Sequence, residues 1–271
     1  MTFLAAVVQL NSTSDEEANF RSARALIERA AMRGAQLVAT PENTNFLGPH
    51  EEKVRRAQPV DGATCERFAE LAARLHVHLL LGSFNERCDE DRSRCYNTSV
   101  LFAPHGDVLA TYRKIHLFDV DVSPEVRFRE SQTIRAGDTP VCVESALAPI
   151  GLSICYDLRF PELYRALVDR GAELLTIPSA FTATTGRDHW YPLLRARAIE
   201  TQCWVLAPAQ AGRHDDKGLR HSYGHSLVID PWGQVVASVG GDEPGVAMAE
   251  IDLERVAAVR GKIPVQQHRR L

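Results

Sequence analysis

Three reactive side chains follow apolar, strand-like runs in this sequence. Glu42, Lys114 and Cys155 each stand at, or just beyond, the end of such a run. Because sites in α/β proteins assemble at the carboxyl ends of strands, the three residues can meet in one place. A thiol can attack a carbonyl or nitrile carbon, and a carboxylate can pass the thiol proton to a departing nitrogen. A fixed cation can then stabilise the tetrahedral oxyanion.

The segment 149–162 carries the strongest local signal. Its apolar run ends on Cys155, and Pro161 marks the start of a helix a few residues later. A cysteine at such a turn faces the free N–H groups of the helix start, which is expected to favour the thiolate. The backbone N–H of Tyr156 is expected to face the oxyanion and so to bind substrate. Taken alone, each reactive residue has an ordinary explanation, as a structural cysteine or a solvated charge.

The elements that must position these residues alternate between strand-like runs and amphipathic helices. This interleaving predicts an α/β protein, and its similar rhythm in the two halves suits two stacked sheets with helices outside. No Pro/Gly/Ser-rich linker divides the chain, so we expect one domain over 1–271. The predicted strands are 3–10, 36–40, 77–83, 97–103, 108–113, 141–144, 150–155, 174–177, 204–207, 222–229, 234–239 and 246–251, and the main helices are 15–34, 64–75, 162–170 and 190–201.

Composition excludes several classes of protein. The net charge is −4, and no dense basic stretch suggests a nucleic-acid partner. No apolar run approaches the roughly 20 residues that span a bilayer, so we expect no membrane association and a cytoplasmic location. The six cysteines include no CxxC pair, which argues against a disulfide framework or structural zinc. The chemistry outlined above requires neither a metal nor a cofactor.

Several motifs, taken in order, carry a family resemblance: Pro41-Glu42, Arg113-Lys114-Ile115-His116-Leu117-Phe118-Asp119, Arg129-Glu130-Ser131 and Ile154-Cys155-Tyr156-Asp157-Leu158-Arg159-Phe160-Pro161-Glu162. Together they resemble the nitrilase superfamily, and the similarity extends over nearly the whole chain. The resemblance implies an α-β-β-α sandwich, with Glu42 as general base, Lys114 as oxyanion partner and Cys155 as nucleophile. Glu130 would be a second site glutamate that orients Lys114 or holds the substrate.

The C-terminal half resembles the deaminated-glutathione amidase branch of that superfamily, in segments 178–186, 194–203, 209–214 and 222–226. This branch implies hydrolysis of a small-molecule amide, through a thioester, to 2-oxoglutarate and cysteinylglycine. The ω-amidase branch, which releases ammonia from 2-oxoglutaramate, shares some of these elements and stays an alternative. An N-carbamoyl amino-acid hydrolase is a further alternative. The C-terminal segments named above argue against a true nitrilase. The presence of all three reactive residues argues against a non-catalytic scaffold.

The substrate implied by either amidase branch carries a 2-oxo acid carboxylate, which needs a cation or hydrogen-bond donors. We expect Arg159, just past the nucleophile, and the loop of Thr182 and Thr185 to supply them. Arg159 has an equally good structural explanation, as an ion-pair partner of Glu162 or Asp157. The threonines can likewise be ordinary turn residues.

One stretch departs from the pattern of the superfamily. Relatives carry a Gly-containing run after an Ile-Pro pair at the position of 122–128, whereas this chain has Ser123-Pro124-Glu125-Val126-Arg127. Because this loop precedes Glu130, it is expected to shape the pocket. Members of the superfamily usually assemble through helices, so we also expect a homodimer or a larger even-numbered homo-oligomer.

Overall fold

The computed structural model of this protein describes residues 1–123, 126–214 and 220–270. Sixteen strands and seven α-helices lie within these residues, and no described helix is long and apolar enough to cross a membrane. The strands are β1 Thr2–Gln9, β2 Leu37–Ala39, β3 His78–Arg87, β4 Cys95–Phe102, β5 Val108–Arg113, β6 Asp119–Ser123, β7 Val126–Arg129, β8 Cys142–Glu144, β9 Pro149–Leu152, β10 Leu174–Thr176, β11 Trp204–Ala207, β12 Ala211–Arg213, β13 His221–Tyr223, β14 Leu227–Ile229, β15 Val235–Ser238 and β16 Gly245–Asp252. The helices are α1 Glu16–Met32, α2 His50–Arg55, α3 Ala63–Leu75, α4 Pro161–Val168, α5 Ala183–Thr201, α6 Leu253–Lys262 and α7 Val265–His268, with short 3-10 helices at Glu130–Gln132 and Cys155–Arg159.

Two six-stranded sheets form the centre of the fold. The first has the strand order β16-β1-β2-β3-β4-β5 and the second β15-β14-β11-β10-β9-β8. Strands β1, β2 and β3 run parallel in the first sheet, as do β9, β10 and β11 in the second. Antiparallel strands flank each parallel set. The similar rhythm of the two halves therefore corresponds to two sheets of similar design.

The two sheets pack face to face between two layers of helices. Along β1, Ala5 and Val7 join a buried cluster shared with the second sheet, whereas Ala6 and Val8 join a cluster shared with α1 and α3. This alternation follows from the two-residue period of a strand. Helices α4 and α5 cover the outer face of the second sheet, where Trp190 is fully buried. The predicted α-β-β-α sandwich is thus confirmed.

The predicted strand 150–155 was wrong at its end. Strand β9 ends at Leu152, and Cys155 opens a 3-10 helix. The φ angle of Cys155 is 48°, in the left-handed region, and a strand cannot continue through that conformation. The departure from extended backbone places the cysteine at a corner of the chain rather than on a face of the sheet.

Two further predictions need correction. The run 222–229 is not one strand, because Gly224 and His225 adopt φ angles of 71° and 55° and separate β13 from β14. The helix expected at 190–201 begins earlier, at Ala183. Its start was missed because the first turns are polar and show no helical period of apolar residues.

Other elements were not expected at all, among them α2, strand β12 and the hairpin of β6 and β7. That hairpin occupies most of the divergent stretch 122–128. Pro124 and Glu125 of the same stretch lie outside the described residues. What was predicted as an irregular loop before Glu130 is therefore largely paired strand.

The turn that carries Glu42 is held by a close approach of β3. The backbone N–H of Thr40 donates to the Leu80 carbonyl (3.0 Å), and the Thr40 hydroxyl accepts from the N–H of Gly82 (3.0 Å). A Cβ on Gly82 would lie 2.0 Å from the carbonyl oxygen of Thr40 and 2.4 Å from that of Pro41. Only glycine therefore allows β3 to pass so close to the chain that leads into Glu42.

We expect Gly82→Ala to lower the free energy of unfolding by about 1–3 kcal/mol, the usual range for overpacking a well-packed interior. Urea unfolding followed by circular dichroism measures this change. Gly240→Ala is the matched control, since no atom lies within 4 Å of its added Cβ. Equal stability of the two variants would contradict the argument.

Candidate active site

One cavity brings together the residues that the sequence singled out. Glu42, Lys114, Glu130, Cys155 and Tyr156 all line it. Glu42 follows β2, Lys114 follows β5 and Cys155 follows β9, so ends of strands from both sheets contribute. Residues far apart in sequence are therefore neighbours in space, as the position of each at a strand end predicts.

Lys114 is a buried cation between two carboxylates. Its Nζ atom lies 3.0 Å from Oε1 of Glu42 and 3.0 and 2.9 Å from the two carboxylate oxygens of Glu130. The side chains of all three residues are less than a tenth exposed. Glu130 also accepts from the backbone N–H of Phe118 (2.7 Å). The second glutamate thus holds the Lys114 ammonium through both of its oxygens.

Glu42 is anchored through both of its oxygens. Oε2 accepts from the backbone N–H of Ala180 (2.8 Å), and Oε1 accepts from Nδ2 of Asn97 (2.8 Å) as well as from Lys114. Asn97 lies on β4 and was not identified from the sequence. A buried asparagine in a strand gives no distinctive pattern, and only the pairing of β4 with its neighbours shows that it faces the carboxylates.

The loop of Cys155 is fixed by a buried carboxylate two residues away. Asp157 accepts from the Tyr112 hydroxyl (2.7 Å), the Ile154 backbone N–H (2.9 Å), and the backbone N–H (3.0 Å) and Nδ1 (2.7 Å) of His116. Cys155 itself donates its backbone N–H to the carbonyl of Pro178 (3.0 Å). Asp157 therefore joins the loop that follows β5 to the loop that follows β9, which sets the spacing of lysine and thiol.

Three of the four expected substrate-binding residues line the cavity, namely Tyr156, Thr182 and Thr185. The hydroxyls of the two threonines are 2.7 Å apart. They do not form a loop, because Thr182 is the N-cap of α5 and Thr185 lies in its first turn. Their side chains present hydroxyl groups along one wall of the cavity.

Arg159, the fourth expected substrate-binding residue, is not among the residues that line the cavity. Within the described residues it forms no ion pair with Glu162 or Asp157. Its guanidinium group packs over the Phe181 ring, 5.1 Å from the centroid, and lies 3.3 Å from Nδ1 of His189. The guanidinium group also lies 5.9 Å from the centroid of the Tyr156 ring, so it borders two residues that line the cavity, and its role in substrate binding stays a prediction.

A second cation, Arg220, lines the cavity in its place. Nη2 of Arg220 donates to Nε2 of His50 (2.6 Å), and its guanidinium lies 5.5 Å from the centre of the Phe128 ring. Neither Arg220 nor His50 carries a recognisable signal, because both lie outside the strand-end pattern. The only hint is that Arg220 precedes the segment 222–226.

The family model described as carbon-nitrogen hydrolase matches residues 4–261. The chain belongs to the carbon-nitrogen hydrolase family. It is 45% identical over 269 residues to a protein of Synechocystis sp. named deaminated glutathione amidase, and the match covers 98% of each chain.

Solved structures of nitrilase-superfamily hydrolases have the same fold. The NitFhit protein of C. elegans superimposes with a TM-score of 0.93 at 42% identity, over 99% of this chain and 65% of its own. A variant of the amidase from Nesterenkonia sp. AN1 superimposes with a TM-score of 0.79 at 26% identity, over 98% and 96% of the two chains. Its active site cysteine carries the acetamide moiety of fluoroacetamide as a covalent addition.

The electrostatics of this hydrolase keep Lys114 and Glu130 charged. Burial acts to lower the pKa of Lys114, but the charges of Glu130 and Glu42 outweigh it and hold that pKa above its usual value. Burial opposes the charge on Glu130 as well, yet Lys114 and Lys53 lower its pKa to about 2. Opposite charges at hydrogen-bonding distance thus prevail over desolvation.

The thiol behaves differently from the expectation for a strand-to-helix turn. Burial, and then the charge of Glu42, hold the pKa of Cys155 well above its usual value, while Lys114 acts in the opposite direction. The expected thiolate is therefore wrong for the resting hydrolase, which holds a neutral thiol. Within the described residues, no three His, Cys, Asp or Glu side chains could hold a metal ion.

The low pKa of Glu130 predicts a pH-dependent contribution to stability. Because the pKa falls from 4.5 to about 2 on folding, the ionised Glu130 stabilises the protein fully above pH 4.5, and this stabilisation is lost as the pH falls toward 2. We expect Glu130→Gln to be less stable than the wild-type protein at neutral pH, and the difference to shrink over that acid range. Urea unfolding at a series of pH values tests this, with the exposed Glu250→Gln as control. A difference that does not change with pH would refute the assignment.

Proposed function

We propose that this protein is an amidase that hydrolyses deaminated glutathione to 2-oxoglutarate and cysteinylglycine. The observation that carries the proposal is the cavity in which Lys114 joins two carboxylates beside the thiol of Cys155. A thiol, a base and a fixed cation are the groups that amide hydrolysis by covalent catalysis requires. The name of the Synechocystis relative supports the choice of substrate.

In the proposed first half-reaction, Glu42 accepts the thiol proton and Sγ of Cys155 attacks the amide carbonyl carbon. Nζ of Lys114 and the backbone N–H of Tyr156 stabilise the negative charge on the oxygen. The carbon–nitrogen bond then breaks, and Glu42 gives its proton to the departing amine, which is cysteinylglycine. The acyl group stays on Cys155 as a thioester.

The second half-reaction uses the same groups again, with water in place of the thiol as the attacking group. Glu42 accepts a proton from water, and the hydroxide attacks the thioester carbon. Lys114 and Tyr156 again stabilise the oxyanion. The bond from carbon to sulfur breaks, 2-oxoglutarate leaves, and the thiolate recovers its proton from Glu42. Glu130 stays ionised throughout and keeps Lys114 in position.

The ω-amidase reaction involves the same acyl group, so the two substrates need a direct comparison. We expect purified protein to release 2-oxoglutarate from deaminated glutathione with no ammonia, and to prefer it clearly over 2-oxoglutaramate. Assays of 2-oxoglutarate and ammonia with the two substrates side by side measure this. A preference for 2-oxoglutaramate, with ammonia formed, would instead identify an ω-amidase.

The nucleophile is tested by Cys155→Ala. We expect this variant to lose turnover of deaminated glutathione, because no other group can form the thioester, and to keep the circular dichroism spectrum of the wild-type protein. Cys142→Ala is the matched control, since this thiol is partly exposed on β8 and lies outside the cavity. Turnover that survives in Cys155→Ala would contradict the mechanism.

We also propose that residues 1–271 form one domain in the cytoplasm. Strand β16, near the C-terminus, pairs with β1 along its whole length, which supports a single folding unit. All six cysteines are free thiols, which is typical of a reducing compartment.

A homo-oligomer with an even number of subunits is proposed from the resemblance to the superfamily. Exposed apolar side chains support it, because Ile199 and Trp232 are each about half exposed on the outer surface. Gly233, next to Trp232, lies directly against Ile199, so the two side chains belong to one patch.

A further inference from the structure

The turn that carries Glu42 is irregular, and its backbone carbonyl groups are not satisfied by a sheet. Residues 41–44 follow the end of β2, and Asn43 has a φ angle of 56°, in the left-handed region. Within the described residues, none of the four carbonyl groups of this turn accepts from a backbone N–H. All four residues are buried, so each carbonyl group needs a donor from a side chain. These donors show which residues hold the general base in place.

The donor for the carbonyl group of Glu42 is a glutamine, Gln210. Its Nε2 atom donates to the carbonyl oxygen of Glu42 (2.9 Å) and lies 3.4 Å from that of Asn43. Nε2 also donates to the Ser12 hydroxyl (2.8 Å), while Oε1 accepts from the backbone N–H of Ser12 (2.9 Å). The orientation of the amide follows, because a carbonyl oxygen can only accept and a backbone N–H can only donate. Gln210 is fully buried, is not among the residues that line the cavity, and has no part in the proposed mechanism.

The backbone of Gln210 fixes a second anchor of Glu42. Its N–H donates to the carbonyl of Ser179 (2.8 Å), and the next residue, Ala180, donates its N–H to Oε2 of Glu42 (2.8 Å). The side chain of Gln210 therefore holds the backbone of the base, and its backbone holds the segment that binds the carboxylate. Glu42 follows a strand of the first sheet, whereas Gln210 follows β11 of the second. Gln210 thus sets the position of the base relative to both sheets.

We propose that Gln210 is a positioning residue that fixes the direction in which the carboxylate of Glu42 faces the thiol and the departing nitrogen. The inference rests on the proposed amidase function, in which Glu42 accepts and returns a proton, and it adds the group that holds this base. Proton transfer requires the two heavy atoms to lie within hydrogen-bonding reach, so a small rotation of the turn slows both half-reactions. Gln210 itself touches neither the substrate nor the reacting atoms.

A second buried glutamine, Gln202, provides a matched comparison. It is 2% exposed, and its Nε2 atom also donates to a backbone carbonyl, that of Ile263 (2.6 Å). Gln202 lies at the C-terminal end of α5 and is not among the residues that line the cavity. The same substitution at the two positions therefore separates the loss of a buried hydrogen bond from the displacement of Glu42.

The first pair of variants is Gln210→Met and Gln202→Met, in which an apolar group of similar length replaces the amide. We expect both to lower the melting temperature, because each leaves a buried carbonyl group without its donor. We expect only Gln210→Met to lower kcat for deaminated glutathione, by about 100-fold, the loss that a displacement of about 1 Å in an active site can cause. KM should change little in either variant, since neither side chain touches the substrate.

Gln210→Glu is a sharper test, because it keeps the shape of the side chain. The introduced carboxyl can still accept from the Ser12 N–H, but it can donate to the Glu42 carbonyl only while it is protonated. Burial raises the pKa of a carboxyl group. We therefore expect kcat relative to the wild-type protein to be highest at acid pH and to fall as the pH rises through that pKa. For Gln202→Glu, the same ratio should not change with pH.

Crystal structures of Gln210→Glu and Gln202→Glu at neutral pH give a readout that needs no substrate. We expect the carboxylate of Glu42 to lose its hydrogen bond to the Ala180 N–H in the first variant and to keep it in the second. A Glu42 carboxylate that stays in place in Gln210→Glu would overturn the positioning role, and so would equal losses of kcat at the two positions. A wild-type protein that hydrolyses neither deaminated glutathione nor 2-oxoglutaramate would refute the proposed function, whereas the crystal structures would still decide whether Gln210 holds Glu42.

Discussion

The charged group on which the site depends is the ammonium of Lys114, buried between Glu42 and Glu130. Burying an ion costs several kcal/mol even after relaxation, and only close opposite charges with good hydrogen bonds compensate for it. Lys114 meets this condition, since each carboxylate lies within 3.0 Å of its Nζ atom. The arrangement therefore exists only if three separate chain segments are positioned together. Each segment is in turn held by the backbone, through Ala180 for Glu42 and Phe118 for Glu130.

The sandwich supplies this positioning by placing ends of strands from both sheets side by side, but the ends themselves are not regular structure. Asn43, next to Glu42, and Cys155 both have a φ angle in the left-handed region, 56° and 48°. Such a conformation costs a non-glycine residue about 1–2 kcal/mol. It persists here because surrounding hydrogen bonds fix it, from Asn43 to the Ser83 hydroxyl and around Cys155 through Asp157. Local strain of this kind is common at functional sites.

How much of the site the sequence could predict depends on whether a local pattern marks each residue or only a contact with a distant part of the chain does. Glu42, Lys114 and Cys155 stand at the ends of apolar runs, so a local pattern and a family resemblance were enough to bring them together. Arg220, just before β13, meets His50 of α2, and no local pattern records that contact. Arg159 is close to Cys155 in sequence, and its guanidinium group packs against Tyr156 and Phe181 behind the cavity lining, which a local pattern could not specify. The predicted boundaries of β9 and α5 were wrong because the backbone conformation there depends on tertiary hydrogen bonds and not on the spacing of apolar residues.

The neutral resting thiol has a consequence for how catalysis would proceed. In the free cavity the negative charge lies on the carboxylates, and the proton lies on sulfur because burial and Glu42 disfavour the thiolate. Transfer of that proton to Glu42 leaves the total charge of the cavity unchanged and moves one negative charge from oxygen to sulfur. Attack then moves it on to the carbonyl oxygen, where Lys114 and the Tyr156 N–H can receive it. A thiol that ionises only as it attacks needs no stable thiolate in the free cavity. The same burial that suppresses the thiolate strengthens the interaction of Lys114 with the oxyanion.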